Sequence, residues 1–178
     1  MGDLPGRRSI RLRGYDYTEP GWYFVTICTI ERRCLFGDIV ADKMCLNVLG
    51  EAVVDAWQAI PQHLPMFETD SFIVMPNHFH GIIVLEADVE AKHASPLHQR
   101  RARGTAKGSL PAVVQSFKSA STRSANRIRT TPGRPLWQRG FYERVIRSDE
   151  ELNQLRRYIE DNPLRWALDQ ENPSRTSM

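Results

Sequence analysis

Apolar and polar positions divide the chain into segments of distinct period. From Gly21 to Ile30, Trp22, Phe24 and Thr26 alternate with Tyr23, Val25 and Ile27, which predicts a strand. Between Asn47 and Ile60 the period lengthens: Leu49, Val53, Ala56, Trp57 and Ile60 form the apolar stripe of a helix that Asn47 can cap and Pro61 ends. Phe67 to Met75 reads as a second strand, and Pro76-Asn77 as a tight connection to a third. In that third strand Ile82 to Leu85 carries β-branched residues on both faces, as a central strand covered on both sides does. Glu86 to Gly108 has no period and reads as a mobile basic insertion. Ser109 to Ile128 is amphipathic, with Leu110, Val113, Val114, Phe117 and Ile128 at helical spacing and Lys118, Arg123 and Arg127 on the other side. Thr131-Pro132-Gly133 breaks that helix, and Leu136 to Ile146 reads as a further strand. Ser148 and Glu151 have the spacing of a capping box that opens a last helix running to about Asp161. Strand, helix, strand, strand is half of a ferredoxin-like or related α/β sandwich, and the 178 residues fit a single domain with no internal repeat.

Charge changes this picture in one place. The net charge of +3 conceals a stretch from Ala91 to Tyr142 with no Asp or Glu and eleven Lys or Arg, among them Lys118, Arg123, Arg127 and Arg139. Because the basic run continues through a predicted helix into a predicted strand, it reads as a phosphate-backbone surface rather than a solvated tail. A second cluster, Arg7, Arg8, Arg11 and Arg13, precedes the first strand and lies near Tyr15 and Tyr17, whose rings offer faces for stacked bases. No 18-residue apolar stretch and no signal peptide are apparent, so a soluble cytoplasmic protein without membrane association is expected. Cys28, Cys34 and Cys45 form no Cys-x-x-Cys pair and leave an odd thiol, which fits a reducing compartment and structural cysteines.

Two short motifs carry the chemistry. His78 and His80 stand at i and i+2 in the run Met75-Pro76-Asn77-His78-Phe79-His80, so a strand projects both imidazoles from one face. That is half of a metal site, or else a pair of hydrogen-bonded core histidines. Near the end of the chain, Tyr158 and Asn162 are i and i+4 in Tyr158-Ile159-Glu160-Asp161-Asn162-Pro163, which presents a phenol and a carboxamide together on one helical face. That spacing suits a nucleophile beside a metal ligand, although Asn162 before Pro163 could instead cap the following segment. Two imidazoles and one hard amide oxygen would leave positions open for water or phosphate oxygens on Mg²⁺ or Mn²⁺.

In order along the chain, Glu31-Arg32-Arg33-Cys34-Leu35-Phe36, the Pro-Asn-His-x-His run, Trp137-Gln138-Arg139-Gly140-Phe141-Tyr142 and Tyr-Ile-x-x-Asn-Pro resemble the HUH-type single-strand transposases with one catalytic tyrosine. The resemblance is greatest to the REP-associated tyrosine transposases and spans roughly Arg11 to Leu168. It implies a ferredoxin-like fold with a central antiparallel sheet, His78, His80 and Asn162 as ligands of a divalent metal, and Tyr158 as the nucleophile. It also implies a substrate, single-stranded DNA folded into an imperfect hairpin, cut and rejoined through a 5′-phosphotyrosine. Arg7, Arg8, Arg11, Arg13, Lys118, Arg123, Arg127 and Arg139 are the expected DNA-binding cations, and a monomer or a homodimer is expected.

Two rivals belong to other classes. A nucleotide hydrolase of the histidine-triad type would need a third alternating histidine, and the next position is Ile82. A non-catalytic hairpin-binding protein derived from a transposase would keep the basic surface, but it has no need of His78, His80, Tyr158 and Asn162 together.

Overall fold

The structure, a computed structural model, describes residues 15–86, 108–169 and 172–173. Arg7, Arg8, Arg11 and Arg13, and residues 87–107 of the basic insertion, lie outside the described residues. Among the described residues, six strands and five α-helices follow in the order β1 (Gly21–Cys28), β2 (Gly37–Val40), β3 (Lys43–Leu46), α1 (Val48–Gln58), α2 (Ile60–His63), β4 (Phe67–Val74), β5 (His78–Leu85), α3 (Leu110–Arg129), β6 (Tyr142–Ile146), α4 (Asp149–Glu160) and α5 (Asn162–Arg165).

β4, β5, β1 and β6 pair in that order into one antiparallel sheet. With α1 between β1 and β4, and α3 between β5 and β6, this is the β-α-β-β-α-β ferredoxin-like arrangement. The histidine strand β5 is internal, as its two-faced apolar run requires.

The pleat sorts side chains to two faces. Tyr23, Val25, Ile27, Phe79, Ile83 and Leu85 point to one face and pack with Val53 and Trp57 of α1 and Leu110, Val113, Val114 and Phe117 of α3 in the main core. Trp22, Phe24 and Ile82 point to the other, where they meet Leu152, Leu155 and Ile159 of α4 in a smaller cluster. His78 and His80 share the pleat of Ile82 and therefore face α4. The main-core face of β5 carries a tight packing constraint. A Cβ placed on Gly81 would lie 2.6 Å from Trp57 Cζ2 and 2.8 Å from Phe79 Cε1, so β5 can approach α1 only without a side chain there.

Local signals explain most element ends. Asn47 Oδ1 accepts from the backbone N–H groups of Leu49 and Gly50 at 2.9 and 3.1 Å and caps α1. α1 ends at Gln58, and Pro61, expected to end that helix, instead sits in the first turn of α2, where a proline needs no N–H. Ser148 Oγ accepts from Glu151 N–H at 3.2 Å, while the Glu151 carboxylate accepts from Arg147 N–H at 2.9 Å, one residue before the usual capping-box partner.

The structure differs from the sequence reading at several points. β2 and β3 form a separate hairpin whose turn residues Ala41 and Asp42 have φ of 48° and 60°. The strand expected over Leu136–Ile146 is confined to Tyr142–Ile146: Pro135 supplies no N–H, Gly140 takes φ +75°, and Trp137 makes only a single bridge to Thr29. Ile128 leaves the apolar stripe of α3 and is 46% exposed, its place on the buried face taken by Ser121 and Ala125. Of the three cysteines only Cys28 is buried; Cys34 and Cys45 are exposed.

Candidate active site

β5, β1 and the junction of α4 with α5 bring the predicted site residues together. His78 is fully buried, His80 is 5% exposed and Asn162 is 1% exposed. The two imidazole centroids are 4.6 Å apart. α4 ends at Glu160, yet Asp161 keeps helical backbone angles into α5, so Tyr158 and Asn162 retain roughly one-turn spacing across the junction. Tyr158 reaches His80: its hydroxyl is 3.4 Å from His80 Nε2, and its ring packs edge-on against both His80 and Phe24. Phe24 also stacks on the His80 imidazole at 5.3 Å.

Each ring has its remote nitrogen occupied. His78 Nδ1 lies 2.9 Å from Asn77 Oδ1, and Asn77 Nδ2 donates to the Arg32 carbonyl at 3.0 Å. Since that bond fixes which end of the amide is oxygen, His78 must donate from Nδ1, which leaves a lone pair on Nε2. His80 Nδ1 lies 2.8 Å from Thr26 Oγ1, on the cross-strand partner of His80 in the β1/β5 register.

Burial pushes the His78 imidazole down to about 4, against the opposing pull of Asp169 and of the hydrogen bond that the Asn162 side chain would accept from a protonated ring. The His80 imidazole lies well below its ordinary value, first through burial and then through the charge of a protonated His78 beside it. Both rings are therefore neutral at physiological pH, the form in which imidazole ligates metals.

Two buried atoms here, His78 Nε2 and Asn162 Oδ1, have no hydrogen-bond partner. Lone pairs held in that state are expensive unless something takes them, and a divalent cation would. Among the described residues no group of three His, Cys, Asp or Glu side chains is arranged to hold a metal, so a site here depends on the Asn162 amide as its third donor.

Sequence reasoning missed several neighbours. Asp169 Oδ2 lies 4.0 Å from His78 Nε2, brought there by the 3₁₀ turn Trp166–Leu168, and the Trp166 ring centroid is 6.0 Å from that of His78. No periodicity announces either residue. Thr26 could have been noticed as a polar residue in an otherwise apolar strand, and Asn77 as the polar residue directly before the first histidine.

The basic residues lie elsewhere. Lys118, Arg123 and Arg127 belong to α3, on the sheet face opposite the histidines, and Arg139 lies in the irregular segment before β6; Arg127 is not among the residues lining the groove between the two. Lys118, Arg123, Arg134 and Arg139 line an open groove of about 650 Å³ between α3 and residues 133–140, together with Asn126 and Gln138. Lys118 is half-buried, and its ammonium donates to the carbonyls of Gln138 and Gly140 at 2.7 and 2.9 Å, so it also holds one wall of the groove in place. Arg123, Arg127 and Arg139 are exposed.

α4, which carries Tyr158, is fixed to the sheet by a second contact. β4 has an irregularity between Thr69 and Phe72, and within it Asp70 accepts from Arg156 Nε at 2.9 Å and from Nη2 at 2.6 Å. The Arg156 guanidinium also lies 5.8 Å from the centre of the Trp22 ring.

No protein-family profile matches the chain. An uncharacterized protein of Haemophilus influenzae is 40% identical over 167 residues, covering 92% of both chains. A second protein of that organism, named "Putative REP-associated tyrosine transposase", is 26% identical over 84% of this chain and 74% of its own, in line with the resemblance carried by the motifs. Among solved structures, a REP-associated tyrosine transposase bound to a REP hairpin superimposes with a TM-score of 0.58 at 20% identity, over 87% of this chain and 73% of that one. No described helix is long and apolar enough to cross a membrane.

Proposed function

We propose that this chain, which belongs to one family with the 40%-identical Haemophilus influenzae protein and has the fold of the REP-associated tyrosine transposases, cuts and rejoins hairpin-bearing single-stranded DNA by metal-assisted transesterification. The observation that carries the reading is the meeting of a tyrosine hydroxyl with two neutral, buried imidazoles: Tyr158 lies 3.4 Å from His80 Nε2, beside the lone pairs of His78 Nε2 and Asn162 Oδ1. A histidine that served only the core would have both nitrogens hydrogen-bonded, and His78 leaves Nε2 buried without a partner.

His78, His80 and Asn162 would hold Mg²⁺ or Mn²⁺, which when bound polarises the scissile phosphate and screens its charge. Tyr158 attacks the phosphorus in line; its oxygen forms the new bond to phosphate, the bond to the 3′ oxygen of the preceding nucleotide breaks, and that oxygen leaves as a 3′-OH. A 5′-phosphotyrosine remains on Tyr158. One phosphodiester is exchanged for another, so attack by a second 3′-OH reverses the step and transfers the strand without ATP. The half-exposed position of Tyr158 leaves its hydroxyl accessible to DNA, while burial keeps His78 and His80 unprotonated. The exposed Arg123, Arg134 and Arg139 of the groove would neutralise backbone phosphates of the DNA outside the cut.

The test is adduct formation with hairpin-flanked single strands in Mn²⁺, read as a band shift that survives denaturation. Wild type should give the adduct and Tyr158→Phe should not, while both bind the hairpin alike. Adduct in the Phe variant would move the nucleophile to another tyrosine, with Tyr142 the first to examine, and no adduct from wild type across a panel of hairpins would leave a hairpin-binding protein as the better reading.

A further inference from the structure

We infer that Thr26 is a positioning residue: its hydroxyl accepts the Nδ1 proton of His80 and so keeps the Nε2 lone pair of that ring turned toward the metal position. The inference rests on the proposed metal-assisted reading of the site and adds to it a residue outside the two motifs.

A neutral imidazole carries one proton, and only the other nitrogen can ligate. For His78 the choice is settled by the Asn77 amide, anchored on Arg32. For His80 the partner is a hydroxyl, able to donate or accept, so the 2.8 Å contact with Thr26 alone is compatible with either tautomer. The other side of the ring decides. Nε2 faces the Tyr158 hydroxyl at 3.4 Å, and a phenol is a better donor than acceptor. With the phenol proton directed at Nε2, the ring proton sits on Nδ1 and Thr26 receives it.

The register makes this arrangement rigid. Thr26 and His80 are direct cross-strand partners in the middle of the sheet, and their side chains rise from the same face. Phe24, two residues earlier on that face, stacks on the same imidazole and limits its rotation. Thr26 is also the one hydroxyl-bearing residue in the run Phe24-Val25-Thr26-Ile27. A valine would fill the same space and present a methyl to Nδ1. The proton would then move to Nε2, where it blocks the lone pair.

One consequence bears on the nucleophile. The lone pair that a metal would take is the one that Tyr158 engages in the metal-free protein, so ion binding and release of the phenol from His80 are coupled.

The experiment uses the full chain as wild type, Thr26→Val, Thr26→Ser and His80→Ala. Long-range ¹H–¹⁵N spectra of the metal-free protein report the His80 tautomer directly, and titration calorimetry with MnCl₂ reports affinity. Wild type and Thr26→Ser should show a protonated Nδ1, and Thr26→Val a protonated Nε2. Mn²⁺ affinity should fall about 10- to 100-fold in Thr26→Val, the range for loss of a partner behind a ligating histidine, with serine restoring it. A protonated Nε2 in wild type, or wild-type affinity in a folded Thr26→Val, overturns the role of Thr26. Should Thr26→Val not fold, the tautomers of wild type and Thr26→Ser still decide. If His80→Ala binds Mn²⁺ as wild type does, the metal reading itself fails, a result separate from the tautomer measurement.

Discussion

Replacing Asp70 by Asn should loosen the helix that carries Tyr158, and its effect should depend on pH. Arg156 holds Asp70 through two charge-assisted hydrogen bonds and keeps its carboxyl at about 2, below the ordinary 3.8. A shift of that size corresponds to roughly 2 kcal/mol at 1.36 kcal/mol per pH unit. The side chains of Asp70 and Arg156 are 21% and 35% exposed, so solvent screening reduces the expected contribution to about 1 kcal/mol. The sign follows from the direction of the shift. A carboxyl that ionises more readily in the folded state stabilises the fold fully above the unfolded value near 3.8, and that contribution disappears as pH falls through about 2. Urea unfolding of wild type and Asp70→Asn should therefore differ by about 1 kcal/mol at pH 6 and by progressively less below pH 4. Arg156→Gln should behave like Asp70→Asn, and the double variant should be little worse than either single one. A gap that is unchanged at pH 3, or a double variant whose loss is the sum of the two, would show that the ion pair contributes nothing through its charge.

Reversing Arg123, Arg134 and Arg139 to Glu should weaken hairpin binding and flatten the plot of log K against log salt, each lost single-strand contact removing about 0.7 from the slope; unchanged binding in the folded triple variant would move the DNA surface to the residues before Tyr15. Asn47→Ala should destabilise the fold by about 1 kcal/mol in denaturant unfolding, since two N–H groups at the start of α1 lose their acceptor. Amide protons of α4 should exchange faster than those of β5 in native-state hydrogen exchange, because α4 buries three side chains whereas β5 is buried along nearly its whole length; equal protection would mean that the helix opens only with the whole domain.

The features read from sequence were those written in local patterns. Alternation located β1 and β4, helical period and an Asn cap located α1, and the apolar run after His80 marked β5 as internal. The β2–β3 hairpin escaped because its strands have four residues each and its turn residues, Ala41 and Asp42, lack the Asn-Gly or Asp-Gly signature that positive φ usually draws. At the candidate site, spacing alone pairs His78 with His80 and Tyr158 with Asn162. That the two pairs meet depends on α4 packing across β5 and β1, a tertiary fact. Thr26 and Asp169 come from segments 54 and 91 residues from His80 and His78, and only folding makes them neighbours. The basic stretch was legible as charge, but sequence could not show that α3 lies across the sheet from the histidines, or that Lys118 is committed to two carbonyl groups of its own chain.

Gly81 gives the sheet a vulnerability that an activity screen would misread. It directly follows His80 yet faces the opposite side, against Trp57, with no room for even a methyl group. Any substitution there must push β5 away from α1 or displace the indole, and the strand that would move is the one holding both imidazoles. Variants at this position would therefore fail in a cutting assay as ligand variants do, and selection on activity would guard the residue as strictly as the histidines. In a mutational map drawn from function alone, Gly81 would be counted within the active centre, although what it protects is the seating of a tryptophan on the far face of the sheet.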